Sequence, residues 1–279
     1  MIRYLTIGLL AFASTAATAE TPVERGSYLV NGILTCGNCH SPKGPPAAVA
    51  GKEFSGGLTF DEPPFKVTAS NITPDKETGI GGWSDADIKK AIVSGLRPNG
   101  VRLAEVMPSS FYPILTEGDL NAIVAYLRSL KPVKNKVPDP VYKIALPHHV
   151  FPGAEKPYKP ADMTNTVKKG FYLVTIGHCL ECHTPFSAAG GPDFKNALGK
   201  GGREFPGPWG KSVSRNITAN KTSGIGAWTD DEIKRAITQG KRKDGTPLKP
   251  PMGYGHYAKM TNADLDAVVA YIRTLPAKE

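Results

Sequence analysis

Apolar residues recur at helical spacing in three segments, and each segment occurs twice along the chain. In the first, Tyr28, Leu29, Ile33 and Leu34 fall on one face of a helix expected over residues 23–35. Its counterpart, expected over 167–177, carries Tyr172, Leu173 and Ile176. The second segment opens at Ser84 and again at Thr229, ahead of the stripes Ile88, Ala91, Ile92 and Ile233, Ala236, Ile237. Thr229 with Glu232 forms a capping box, and Ser84 with Asp87 is a near variant. The third opens at Thr116 and Thr261 and carries Leu120, Ile123, Val124, Leu127 and then Leu265, Val268, Val269, Ile272. No stretch alternates convincingly in the manner of a strand, so the pattern predicts an all-α fold.

The paired segments are parts of a duplication. Residues 71–130 align without a gap on 216–275 at an offset of 145, and 28 of these 60 positions are identical. Each half therefore reads as one folding unit, over 20–130 and 167–279. Gly26 with Tyr126, and Gly170 with Tyr271, suggest a close crossing of the first and third helices in each half. Between the halves, residues 131–166 hold seven prolines in 36 positions. Proline removes backbone donors and fixes φ, so this linker is expected to be extended and to lie along the surface. Its lysines (131, 134, 136, 143, 156 and 159) could form a docking face, although a solvated linker is the simpler reading. His148 and His149 read as solvated or loosely packed.

The N-terminus changes the picture of where the chain works. Arg3, the apolar run from Leu5 to Ala13 and the small residues Ala17-Thr18-Ala19 read as a secretory leader over 1–19, cleaved after Ala19. The run is shorter than the ~20 residues that span a bilayer. No other stretch is long and apolar enough, so no transmembrane anchor is expected in the mature chain. The formal net charge is +9, or +8 once Arg3 is removed. The lysines are dispersed, which does not suit nucleic acid. The modest positive field suits an acidic partner protein.

The candidate chemistry lies in Cys36-Gly37-Asn38-Cys39-His40, which returns 143 residues later as Cys179-Leu180-Glu181-Cys182-His183. These motifs use all four cysteines of the chain. Two cysteines two residues apart, followed at once by histidine, are the attachment pattern of c-type haem. Each sulfur forms a thioether to the haem, and His40 or His183 holds the iron from the proximal side. Structural zinc needs four ligands where each motif supplies at most three. A thioredoxin-like pair needs a βαβ context that is absent. Two disulfides would suit an exported chain but leave both histidines unexplained. Two covalent haem c groups with their irons are therefore expected, and covalent attachment outside the cytoplasm agrees with the leader and a periplasmic location.

The other axial position decides between electron transfer and catalysis. Met107 aligns with Met252, in Pro- and Gly-rich loops just before the third helices. A lone methionine is usually core filler, but this pair keeps register in both copies and reads as the two distal ligands. Met260, His256 and His178 have no such twin. Closed His/Met sites carry electrons and leave no position for peroxide. A dihaem cytochrome c peroxidase would need an iron that opens. A dihaem oxidoreductase for a small inorganic substrate such as thiosulfate tends to use unusual ligands. Among the other paired positions, Arg97 and Arg242 could neutralise haem propionates. Trp83 and Trp228 could pack on haem or bond a propionate, or simply fill the core. Asn71 and Asn216 are expected to shape the loop before Ile72 and Ile217.

The attachment motif, methionine loop and C-terminal helix resemble class I cytochrome c domains, here in tandem and joined by the Pro-rich linker. The blocks Asn71-Ile72-Thr73-Pro74-Asp75 and Gly79-Ile80-Gly81-Gly82-Trp83-Ser84 look like the cytochrome c subunits of periplasmic alcohol, aldehyde and gluconate dehydrogenases. The resemblance implies Cys36, Cys39, His40 and Met107 for one haem, and Cys179, Cys182, His183 and Met252 for the other. It further implies an electron carrier rather than an enzyme. A periplasmic dehydrogenase would be its donor, and a terminal oxidase or another cytochrome its acceptor.

Overall fold

The computed structural model describes residues 19–43, 49–146, 148–188 and 190–279. The expected leader lies outside the described residues, apart from Ala19. Nine α-helices and five short strands are seen among the described residues: α1 (Pro22–Asn31), α2 (Cys36–His40), β1 (Thr59–Glu62), β2 (Phe65–Thr68), α3 (Asp85–Ser94), α4 (Glu117–Ser129), β3 (Val141–Tyr142), α5 (Thr166–Ile176), α6 (Cys179–Cys182), β4 (Glu204–Gly207), β5 (Gly210–Val213), α7 (Asp230–Gln239), α8 (Tyr254–Tyr257) and α9 (Asn262–Ile272). The expectation of an all-α fold is corrected here. The protein is helix-rich, but β1, β2 and β3 form an antiparallel sheet, and β4 pairs with β5.

The long helices start where the sequence places them. The Ser84 and Thr229 side chains each accept from the backbone three residues on, and both boxes close reciprocally with Asp87 and Glu232. Thr116 and Thr261 cap α4 and α9 in the same way, without the return bond. In each half the first long helix packs on the last, α1 on α4 and α5 on α9. Glycine permits both crossings. A Cβ on Gly26 would sit 2.0 Å from the Ala122 carbonyl oxygen, and one on Gly170 would sit 1.9 Å from that of Ala267.

The core is one continuous apolar cluster that takes Leu29, Val30 and Ile33 from α1 together with Tyr172, Leu173 and Ile176 from α5. Two tyrosines tie the halves reciprocally. Tyr172 donates to Asp119 Oδ2 at 2.5 Å, and Tyr28 donates to Asp264 Oδ2 at 2.6 Å. Each carboxylate also holds a cation of its own half, Arg25 for Asp119 at 2.8 Å and Lys169 for Asp264 at 2.5 Å. The four groups sit in the first turns of α4 and α9 and on the faces of α1 and α5, so the contact is nearly two-fold symmetric.

The linker is less loose than its prolines suggest. Phe151 and Ala154 are buried in the main core, and Val141–Tyr142 forms the third strand of the first sheet. Asn71 Nδ2 donates to the Val133 carbonyl at 2.7 Å, anchoring the linker where it leaves α4. Asn216 Nδ2 donates to the Lys278 carbonyl at the same distance. The two asparagines thus shape their own loops, through Thr73 and Thr218, and also pin the departing chain.

Candidate haem sites

Each cysteine pair sits on a short helix entered through a left-handed residue. Thr35 (φ 49°) precedes α2 and His178 (φ 41°) precedes α6. A non-glycine residue in this region is strained, and both copies keep the strain at the residue before the first cysteine. Cys36, Cys39, Cys179 and Cys182 are all partly buried and form no disulfide. Burial pushes the thiols of Cys36 and Cys179 up to about 12.

The histidines are oriented identically. His40 Nδ1 lies 2.7 Å from the Ser70 carbonyl oxygen, and His183 Nδ1 lies 2.7 Å from that of Arg215. Burial lowers both pKa values against the opposing effect of that bond, favouring the neutral ring. A neutral imidazole that donates from Nδ1 leaves the Nε2 lone pair for a metal. The backbone behind each ring is fixed too. Gly56 N donates to the His40 carbonyl and Gly201 N to the His183 carbonyl, each at 2.7 Å.

Met107 and Met252 each lie in the segment that precedes the last long helix of their half. Met107 is partly buried against the main core and leads into a 3-10 turn, Ser109–Ile114. Met252 is partly exposed and leads into α8. Five residues beyond each methionine comes a tyrosine that the sequence reading passed over. Burial raises Tyr112 well above the ordinary range, with Cys36, Cys39, Glu181 and Tyr257 acting in the same sense. Tyr257 is raised likewise by burial, then by Cys179 and Cys182. These tyrosines bring each methionine segment to its own cysteine pair, and their common register was the available signal. Met260, by contrast, is buried core, as is its counterpart Leu115.

The two sites adjoin. The Phe111 ring lies 6.4 Å from that of His178, and His256 Nδ1 lies 3.2 Å from the Asn31 carbonyl oxygen. Each post-methionine segment thus touches the approach to the other half's cysteines.

The residues present fit a haem with anionic substituents. The buried Nε of Arg97 and that of Arg242 have no hydrogen-bond partner among the described residues, at matching positions in the two halves. Orphaned guanidinium donors are costly unless an anion meets them. Beside Arg242 a groove is lined by Trp228, Glu232, Lys243 and Asp244. Trp83 and Trp228 pack against the core, and their carbonyls accept from Arg128 at 2.5 Å and Arg273 at 2.6 Å.

Known proteins resemble the chain in sequence. Residues 167–276 match the cytochrome c family model. The gluconate 2-dehydrogenase cytochrome c subunit of Pantoea cypripedii is 32% identical across 100% of this chain and 65% of its own length. The cytochrome c subunit of the quinone alcohol dehydrogenase of Gluconacetobacter polyoxogenes is 30% identical across 98% of this chain and 61% of its own. A dihaem c-type cytochrome of Cereibacter sphaeroides is 29% identical across 88% of this chain and 83% of its own. The chain thus spans less than two thirds of the length of the two dehydrogenase subunits. No helix among the described residues is long and apolar enough to cross a membrane. Residues 167–276 thus match a cytochrome c domain, and the chain as a whole is similar to the cytochrome c subunits of gluconate and alcohol dehydrogenases.

Proposed function

We propose that the chain is a periplasmic electron carrier of two tandem cytochrome c domains, 20–130 and 167–279, joined by the linker 131–166. Each domain would hold one haem c. Cys36 and Cys39 attach the first, and Cys179 and Cys182 the second. His40 and Met107 would hold the first iron, and His183 and Met252 the second. Its donor is a dehydrogenase, and its acceptor a terminal oxidase or another cytochrome. The observation that carries the reading is the pair of histidines, each directly following a cysteine pair and each held by a 2.7 Å bond from Nδ1 to a loop carbonyl.

Bound haem supplies a one-electron couple. The chain's own residues set its terms. The carbonyls of Ser70 and Arg215 hold each imidazole in one tautomer, keeping the ligating nitrogen basic. The methionine loops close the other face, and thioether ligation favours the reduced metal. Arg97 and Arg242 balance negative substituents inside the protein. Secretion is inferred from the leader at 1–19, whose small-residue site places cleavage after Ala19.

The experiment is direct. The purified holoprotein should carry two covalent haems per chain by mass, remain coloured after acid-acetone extraction, and reduce when a dehydrogenase partner receives its substrate. One haem per chain, or rapid turnover of peroxide with a reduced donor, would overturn the proposal.

A further inference from the structure

The residue before each first cysteine holds a costly backbone conformation. Thr35 (φ 49°) and His178 (φ 41°) are not glycine, and they occupy the same place in the two repeats. A left-handed residue of this kind persists only where its surroundings over-determine it. Part of that support is local to the turn. Thr35 N donates to the Gly32 carbonyl at 3.2 Å, and the Thr35 carbonyl accepts from Asn38 N at 2.8 Å. His178 N donates to the Thr175 carbonyl at 2.8 Å, and the His178 carbonyl accepts from Glu181 N at 3.0 Å. Further contacts reach each turn from the other half of the chain.

Phe111 and His256 match at the 145-residue offset, and each sits in the short helical segment after its methionine. Phe111 is buried, and its ring lies 6.4 Å from that of His178. It is fixed there by Phe151 of the linker, stacked at 5.0 Å, and by Phe194 of the second half, edge-on at 6.1 Å. The His178 ring also meets Glu181 of α6, with Nδ1 3.3 Å from Oε2. In the other direction, His256 Nδ1 donates to the Asn31 carbonyl at 3.2 Å. Asn31 is the last residue of α1, and a helix end leaves carbonyls without an intrahelical partner. The same segment reaches the strained residue itself, since a Cβ on Gly253 would lie 3.5 Å from Thr35 Cγ2. The ends of α1 and α5 abut as well. A Cβ on Gly177 would lie 2.7 Å from Ile33 Cδ1.

We propose that Phe111 and His256 are positioning residues that act across the halves: Phe111 sets the turn into Cys179–Cys182, and His256 sets the turn into Cys36–His40. The assignment rests on the haem attachment proposed above. The support is reciprocal in place and different in chemistry. An apolar ring fixes the second turn by packing, whereas a hydrogen bond fixes the end of the helix before the first. Phe111 follows Met107 by four residues, and His256 follows Met252 by four. Each methionine segment is therefore tied to the cysteine pair of the other half, and a displacement of either segment is felt at the opposite attachment turn. A single repeat would carry the strained turn without this support.

The test uses the full haem-loaded protein. Amide hydrogen exchange reports local stability segment by segment, and a redox titration gives the two midpoint potentials. His256→Ala should speed exchange in Cys36–His40 by about fivefold, the factor that the loss of one hydrogen bond corresponds to. It should also move one of the two potentials, and leave exchange in Cys179–Cys182 within about twofold. His256→Asn, which returns a donor near the Nδ1 position, should restore both readouts. Phe111→Ala should show the converse pattern, with faster exchange in Cys179–Cys182 and none in Cys36–His40. Phe111→Leu keeps the core filled and should show that pattern in smaller measure, so it decides the point where the alanine variant fails to fold. Faster exchange in the variant's own attachment helix, or equally in both, would overturn the proposal. So would a His256→Asn variant that behaves as His256→Ala does. A parent protein whose digest carries haem on neither cysteine pair would remove the attachment reading instead, and the exchange pattern would still decide the positioning across the halves.

Discussion

Histidine orientation is the finest feature the two halves share. Ser70 and Arg215 differ in side chain, yet each presents its carbonyl to a ring at 2.7 Å. The bond therefore depends on the backbone of the returning loop, which no pattern of residue types reveals. The cysteine and histidine spacing is legible in the sequence because covalent attachment of a haem would fix it. The proposal for the methionines rests on register alone. Tyr112 and Tyr257 share that register and escaped notice, since tyrosine commonly fills cores and only burial beside the cysteines distinguishes them. At this scale the expected outcome concerns the distal ligands. Met107→Ala and Met252→Ala should each lose half of the near-infrared sulfur-to-iron absorption and let one haem per chain bind cyanide. An unaltered spectrum in either variant would remove that methionine from its iron.

Among the elements, helices with a complete local code stood out and the sheets did not. The stripe and cap of α7 lie within a dozen residues, so sequence places Thr229 at its start. Replacing Thr229 by alanine should lower stability by about 1 kcal/mol in denaturant titrations. Strand β1 is mostly exposed and only four residues long. The alternation of β2, Phe65 and Val67 inward, becomes meaningful only when Tyr142 and Leu146 arrive from nearly eighty residues away. The helix crossings give a sharper prediction. Gly26→Ala or Gly170→Ala would drive a methyl group into a carbonyl about 2 Å away. Either should cost about 3 kcal/mol, the upper range for overpacking. Gly118→Ala, whose nearest neighbour is 4.0 Å away, should be neutral or slightly stabilising by the same measurement.

For the molecule as a whole, the duplication was plain in the sequence, but the way its copies meet was not. Asp119 and Asp264 hold the same place in each repeat, and nothing local says that each takes its tyrosine from the other half. The exchange predicts a single cooperative unfolding transition, which Tyr28→Phe or Tyr172→Phe should weaken by about 1–2 kcal/mol. It also sets an alkaline limit. Burial and the partner carboxylate raise both tyrosines above their ordinary value of 10.0. The folded state therefore holds these protons more tightly than the unfolded chain. That stability is whole below about pH 10 and is lost as pH rises toward the folded-state values. Melting temperature against pH should fall more gently above pH 10 in the Tyr172→Phe variant than in the parent. Equal slopes would assign the alkaline loss to other groups.

The reciprocal bonds between Tyr28 and Asp264, and between Tyr172 and Asp119, form a contact in which the same patch appears on both sides. That is the signature of a two-fold homodimer. A single repeat carrying this patch would pair with itself, and joining two repeats in one chain makes the pair permanent. Joining also removes the requirement that the partners be identical. A homodimer cannot place lysine on one copy and alanine on the other, whereas a fused dimer can, as Lys249 and Ala104 now do.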